Sequence, residues 1–203
     1  MERIIILNGS PRAPKSNSLK YAEVFCRYSS VETQYFNIGK NNHGELCSFM
    51  ENYSDILFVF PLYADALPVG LLNFLKYLEA NPTINKPVIS ILINCGFLEY
   101  RQNMVAVEMM KFFCRENGYR VGSILMIGGG EAILETPFKF IVSIKIRQFA
   151  KSIISRKYKI LHATMPITKK LFKMAASTYW SNYGKKFGIS KIEMETMKIE
   201  GME

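Results

Sequence analysis

Three short stretches carry residue types able to hold a small anionic ligand. The first follows the apolar run Arg3-Ile4-Ile5-Ile6 and reads Leu7-Asn8-Gly9-Ser10-Pro11-Arg12, continuing to Ser16-Asn17-Ser18. It offers the hydroxyls of Ser10, Ser16 and Ser18, the amide of Asn17, the guanidinium of Arg12 and the close backbone approach that Gly9 permits. A helical pattern begins at its end, so free N–H groups and the positive end of a helix dipole join the side chains. Such a nest suits a phosphate dianion. A structural reading competes, with Ser16-Asn17-Ser18 capping the helix and Pro11 turning the chain. Neither G-x-x-x-x-G-K-[ST] nor G-x-G-x-x-G is present, so a monophosphate without magnesium fits better than a nucleoside triphosphate.

The second stretch is Pro61-Leu62-Tyr63-Ala64-Asp65-Ala66-Leu67-Pro68. Bounding prolines fix the backbone, and an aromatic within it can wall a flat ring. Its structural alternative is a packed turn with Asp65 capping the next helix. The third is Asn94-Cys95-Gly96-Phe97-Leu98-Glu99. Cys95 has no His or Lys nearby in sequence, which argues against a nucleophile. Glu99 reads as a solvated residue at the start of a helix. Gly128-Gly129-Gly130 either keeps backbone near the same place or forms an ordinary turn.

What must position these stretches is a set of alternating strands and helices. β-Branched runs occupy 3–8, 54–60, 87–93 and 121–127, with a weaker one at 31–37; helical spacing occupies 17–29, 43–52, 68–79 and 101–117. Ile56–Phe60 and Val88–Ile93 are almost continuously apolar, as strands buried on both faces must be. The class is α/β, a doubly wound parallel sheet of five strands in the order 2-1-3-4-5. In that order the three stretches fall at the carboxyl ends of strands one, three and four, around the point where strand order reverses and such sheets bind ligands. Beyond residue 135 the alternation stops, and the remainder is expected to be a helical extension of one domain, broken at Pro137, Pro166 and Gly184.

Composition narrows the classes. No secretory signal and no membrane span is evident. The four cysteines, Cys26, Cys47, Cys95 and Cys114, form no C-x-x-C pair, which argues against zinc, an iron–sulfur cluster and a disulfide framework. A cytoplasmic protein with reduced thiols is the expectation. His43 and His162 are solitary, and no His/Asp constellation for acid–base catalysis is visible.

Taken together, the three stretches resemble the flavodoxin-like NAD(P)H-dependent FMN reductase family over about residues 1–135. By that resemblance Ser10, Arg12, Ser16, Asn17 and Ser18 hold the FMN phosphate. Pro61, Leu62, Tyr63 and Ala64 line the isoalloxazine, and Asn94, Cys95, Gly96 and Phe97 close its other side. Relatives with an iron–sulfur cluster use a cysteine-rich insertion absent here, so only the flavin is expected. The implied activity is hydride transfer from NAD(P)H to FMN and on to a small-molecule acceptor: a quinone, a flavin, a nitro or azo compound, or an iron chelate. A homodimer is implied as well. The rival reading is a flavodoxin-type electron carrier without NAD(P)H turnover; such carriers are acidic, whereas this chain carries a net charge of +9.

That charge is concentrated. Residues 136–192 hold 13 of the 26 Lys and Arg residues and no Asp or Glu; the remainder has 13 basic residues against 17 acidic. Phe138–Ile146 is apolar almost all round a helical wheel, and Lys169–Met174 sets lysines beside large apolar groups. Helices of this kind are covered by core, partner or lipid. The packing account has lysine stems reaching solvent; the second account is a peripheral membrane surface. No motif accompanies the charge to mark nucleic acid as a partner.

Overall fold

The computed structural model describes residues 3–195. Along the chain β1 (Arg3–Asn8), α1 (Asn17–Tyr28), β2 (Glu32–Asn37), α2 (His43–Met50), β3 (Asp55–Pro61), α3 (Val69–Ala80), β4 (Val88–Asn94), α4 (Met104–Glu116), β5 (Val121–Ile127), α5 (Lys139–Ile154) and β6 (Ile160–Ala163) alternate. They are followed by α6 (Lys169–Lys185) and α7 (Lys191–Glu195). The chain divides into two compact units between Met165 and Pro166.

The first unit is one parallel sheet in the order β2-β1-β3-β4-β5-β6. The expected order 2-1-3-4-5 is correct as far as it goes, but the sheet has six strands, not five. Residues 139–163 are therefore not a helical extension: they form one more crossover helix and an outer strand, which pairs Ile124 with Ile160 and Ile127 with Ala163. β6 is four residues long, sits between basic residues and Pro166, and is half exposed. An outer strand so short needs no apolar alternation, so no strand pattern marks it.

Alternation along the strands divides the core. Ile5, Leu7, Phe58, Phe60, Ile91 and Ile93 meet Leu46 and Met50 of α2, Leu71 and Phe74 of α3, and Val107 and Met110 of α4 in one fully buried cluster. The other face is covered by α1 and α5, whose Phe25 and Phe149 rings meet edge to face at 5.9 Å. Each such buried ring or aliphatic side chain contributes roughly 1.5–3 kcal/mol. The apolar stripe of α5, Val142, Ile146, Phe149, Ala150 and Ile153, is wholly buried. For this half of the basic segment, core covers that stripe, while Phe140 and Ile144 on the outer side of α5 stay exposed. At the amino ends of the strands, Arg156 bridges both carboxylate oxygens of the buried Asp55 at 3.2 and 3.1 Å, fastening the α5–β6 connection to β3.

In the second unit α6 begins at Thr168, whose hydroxyl accepts from Leu171 N at 3.3 Å. Gly184 does not break the helix but lies in its last turn, packed against Met194 of α7.

Candidate functional site

The loop after β1 is organised by a residue that motif reading passed over. Asn8, fully buried, accepts from Ser10 N at 2.9 Å through Oδ1. Its Nδ2 lies 2.7 Å from Tyr35 Oη and 3.1 Å from Ser16 Oγ. The Tyr35 hydroxyl in turn donates to Asn37 Oδ1 at 2.6 Å. A side chain at the last position of β1 thus pins the loop to β2.

Ser16 caps α1 by accepting from Leu19 N at 3.2 Å. With Asn8 on its other lone pair, its acceptor capacity is filled and its own O–H proton is left to donate. The N–H groups of Asn17 and Ser18, first and second in the helix, have no partner within it. Arg12 is exposed and, among the described residues, makes no ion pair. This is a donor set of hydroxyl, two backbone amides and a guanidinium, at a helix N-terminus, and it fits a phosphate monoester. The capping reading of Ser16 is thus observed, and the cap leaves its O–H proton free to serve as a donor.

The other predicted residues divide between presenting groups and bracing them. Ser10 is buried, its Oγ accepting from Arg12 N at 3.2 Å. The buried hydroxyl of Ser18 turns inward and accepts from Asn94 Nδ2 at 3.5 Å. Asn17 Nδ2 donates to the carbonyl of Glu131 at 3.3 Å. Asn94 is buried, donates to the Phe60 carbonyl at 3.3 Å and accepts from Leu62 N at 2.7 Å. Cys95 links β4 to β5 through its peptide groups, N to Ile127 O at 3.0 Å and O from Gly130 N at 2.7 Å. Its thiol lies inward at 3.4 Å from Asn103 Nδ2, and burial pushes it up to about 11. It is protonated at neutral pH, which removes it as a nucleophile.

Pro61 ends β3, and Tyr63 and Ala66 exchange both N–H···O bonds at 3.1 Å. Ala64 and Asp65, between them, both lie in the left-handed region at φ 48° and 56°. This is a two-residue hairpin. Asp65 is therefore a turn residue; the residue preceding α3 is Pro68, and no side chain caps that helix. The hairpin holds Tyr63 outward, 57 % exposed, while on the neighbouring loop Phe97 is 52 % exposed beside the open Gly96. Two aromatic side chains thus stand on adjacent loops at the switch point.

The glycine run after β5 belongs to the same assembly. A Cβ on Gly130 would lie 2.7 Å from Asn94 Cβ, and one on Gly128 2.3 Å from the Leu98 carbonyl oxygen. The buried Tyr21 hydroxyl donates to Gly130 O at 2.7 Å, and burial holds that phenol protonated well above its usual range. The Glu131 carboxylate lies over Gly96, close enough that a Cβ there would meet it at 3.7 Å. Among the described residues no cluster of His, Cys, Asp and Glu suits a metal ion.

No protein-family model and no curated protein matches the chain. Solved structures do. The azoreductase of Bacillus anthracis str. Sterne is 15% identical with a TM-score of 0.53, over 78% of this chain and 100% of that one. An NADPH-quinone reductase from P. pentosaceus is 14% identical with a TM-score of 0.57, over 74% and 98%. The Fusobacterium nucleatum flavodoxin bound to flavin mononucleotide is 15% identical with a TM-score of 0.58, over 78% and 100%. At these identities the likeness establishes a flavodoxin-like fold. Its neighbours include both the reductases that the sequence resembles and the flavodoxins that compete with them.

Proposed function

We propose that the chain is an FMN-dependent NAD(P)H oxidoreductase that passes reducing equivalents to a quinone, flavin, nitro or azo compound, or iron chelate. The observation that carries this reading is the donor set at the start of α1: a serine hydroxyl with both lone pairs filled, two free helix N–H groups and an unpaired arginine. Arg12, Ser16 and the amides of Asn17 and Ser18 bind the FMN phosphate, with Ser10 bracing the loop. Leu62, Tyr63 and Ala64 wall the ring on one side and Gly96 and Phe97 on the other, while Pro61, Asn94 and Cys95 fix those loops. Bound FMN supplies hydride acceptance from NAD(P)H and delivery to the acceptor. The protein's work is binding, orientation and exclusion of water, for which no resident acid–base pair is required. Likeness to azoreductases and to a quinone reductase supports the reading.

The second reading is an electron carrier, favoured by likeness to flavodoxins. Mixing the FMN-loaded protein with NADH and with NADPH under nitrogen separates the two. Bleaching of the visible flavin band, followed by turnover with an added quinone, is expected; a band that persists with both nucleotides leaves the carrier.

A homodimer is part of the proposal. Between α3 and α4 runs an apolar groove exposing Met104, Val105 and Phe112, edged by Lys76, Lys111 and Arg115 and by Glu79, Glu108 and Glu116. Equal numbers of the two charges let a two-fold copy of the same face meet opposite charge.

A further inference from the structure

The acid-free basic segment has two fates in this structure. Its first half becomes α5, whose inward stripe packs on the sheet. Its second half, α6, has Gly184 as its only buried residue. Helical spacing sorts the residues of α6 sharply. Phe172, Ala175, Ala176, Tyr179 and Tyr183 share one face, with Leu171, Lys169 and Trp180 at its borders, whereas Lys170, Lys173 and Lys185 lie on the remaining arc beside the exposed Met174.

The aromatic groups form a continuous strip. Tyr179 meets Trp180 at 5.2 Å and stacks on Tyr183 at 6.3 Å, and Tyr183 meets Phe187 at 5.2 Å. These four rings are between 44 and 66 % exposed. No acidic residue lies in α6, and the two acids of the described part of this unit, Glu193 and Glu195, are both in α7. Among the described residues no helix is long and apolar enough to cross a membrane.

We infer that α6 lies flat on an anionic membrane surface, with its aromatic face at the boundary between headgroups and acyl chains and its lysines on the phosphates. Three observations single out lipid. Trp and Tyr have an apolar body and a polar tip, which suits the interface between water and hydrocarbon. The bordering lysines have stems long enough to lie along the apolar layer while their ammonium groups reach the headgroups. A face flanked only by positive charge repels a second copy of itself and attracts an anionic plane. This inference is independent of the redox reading, because the binding needs neither cofactor nor substrate.

Trp180 is the only tryptophan in the chain, so its fluorescence reports on this helix alone. The full chain is titrated with vesicles of phosphatidylcholine containing about a third phosphatidylglycerol, with pure phosphatidylcholine vesicles, and with a single-stranded oligonucleotide. The expected result is a blue shift of Trp180 emission and co-sedimentation with the anionic vesicles at low salt, both lost at high salt and absent with phosphatidylcholine alone. Replacing Lys170, Lys173 and Lys185 with Gln lowers vesicle affinity about 100-fold, taking about 1 kcal/mol for each lysine. These exposed changes leave the thermal unfolding of the protein unaltered. Protein remaining in the supernatant with unshifted emission at low salt overturns the inference. So does a shift produced only by the oligonucleotide, which assigns the face to nucleic acid, or one produced by raising protein concentration alone, which assigns it to a second copy.

Discussion

Gly130→Ala places a methyl group 2.7 Å from Asn94 Cβ and 3.0 Å from Asn94 Oδ1. Carbon atoms in good contact sit about 3.5–4.0 Å apart, so the overlap approaches 1 Å. Asn94 Cβ is not the end of a flexible side chain: it is attached directly to β4. Relief must come from the main chain of one loop or the other. Overpacking of this kind costs about 1–3 kcal/mol, and for a chain of this size about 2 kcal/mol lowers Tm by roughly 4–8 °C. Asn94 also accepts from Leu62 N and donates toward Ser18, so displacement passes to both neighbouring loops and weakens FMN binding together with stability. Thermal unfolding by circular dichroism and an FMN titration read the two effects. Gly70→Ala is the control, since a Cβ there meets nothing within 4 Å; its Tm is expected to match or slightly exceed wild type. A Gly130→Ala protein with unchanged Tm and unchanged FMN affinity would refute the claim that these loops are mutually braced.

Arg12→Ala is expected to weaken FMN binding by about 1.5–3 kcal/mol, the contribution of a hydrogen bond to a charged group, with no change in Tm; equal flavin affinity in a fluorescence titration removes Arg12 from the phosphate site. Burial raises Cys47 and Cys95 to about 11 and Cys114 to about 12, so these thiols resist a disulfide reagent at pH 8 in the native protein and react once it is unfolded. Because their folded values lie above the unfolded value of about 8.5, the associated stability is fully present below that pH and is lost as pH rises toward 11. Denaturant midpoints measured between pH 8 and 11 check the sign, and a midpoint that rises over this range contradicts it. Val105→Asp puts a charge in the α3–α4 groove and is expected to convert a dimer to a monomer in sedimentation velocity; an unaltered sedimentation coefficient moves the interface elsewhere.

Most of the sheet was legible because four of its longer strands are buried enough to demand apolar, β-branched runs, which Ile56–Phe60 and Val88–Ile93 supply, whereas the half-exposed β2 shows only a weak one. β6 was not. Ile160-Leu161-His162-Ala163 is paired on one side only, and no burial pattern imposes a recognisable composition on it. At the site, Ser and Gly clusters mark the loops, and strand order brings the loops together. Their bracing is another matter. Asn8 reads only as the end of the first strand run until strand register sets Tyr35 and Asn37 beside it. The Tyr63–Ala66 hairpin carries Ala-Asp at its centre, without the Asn-Gly or Asp-Gly signal that announces such turns. Glu131 reaches Asn17 only through the tertiary path of the glycine run.

The late closure of the sheet by α5 and β6 bears on how the chain can be cut. A fragment ending at residue 135, where alternation in the sequence falters, keeps every loop of the candidate site. It loses the partner of β5, freeing the hydrogen-bonding groups now used by Lys159 O and Ala163 O, and it strips the covering from Phe25. An unpaired apolar strand beside a bare aromatic face is a template for aggregation. Such a fragment is expected to collect in inclusion bodies, whereas one ending near Met165 retains the whole sheet and stays dispersed.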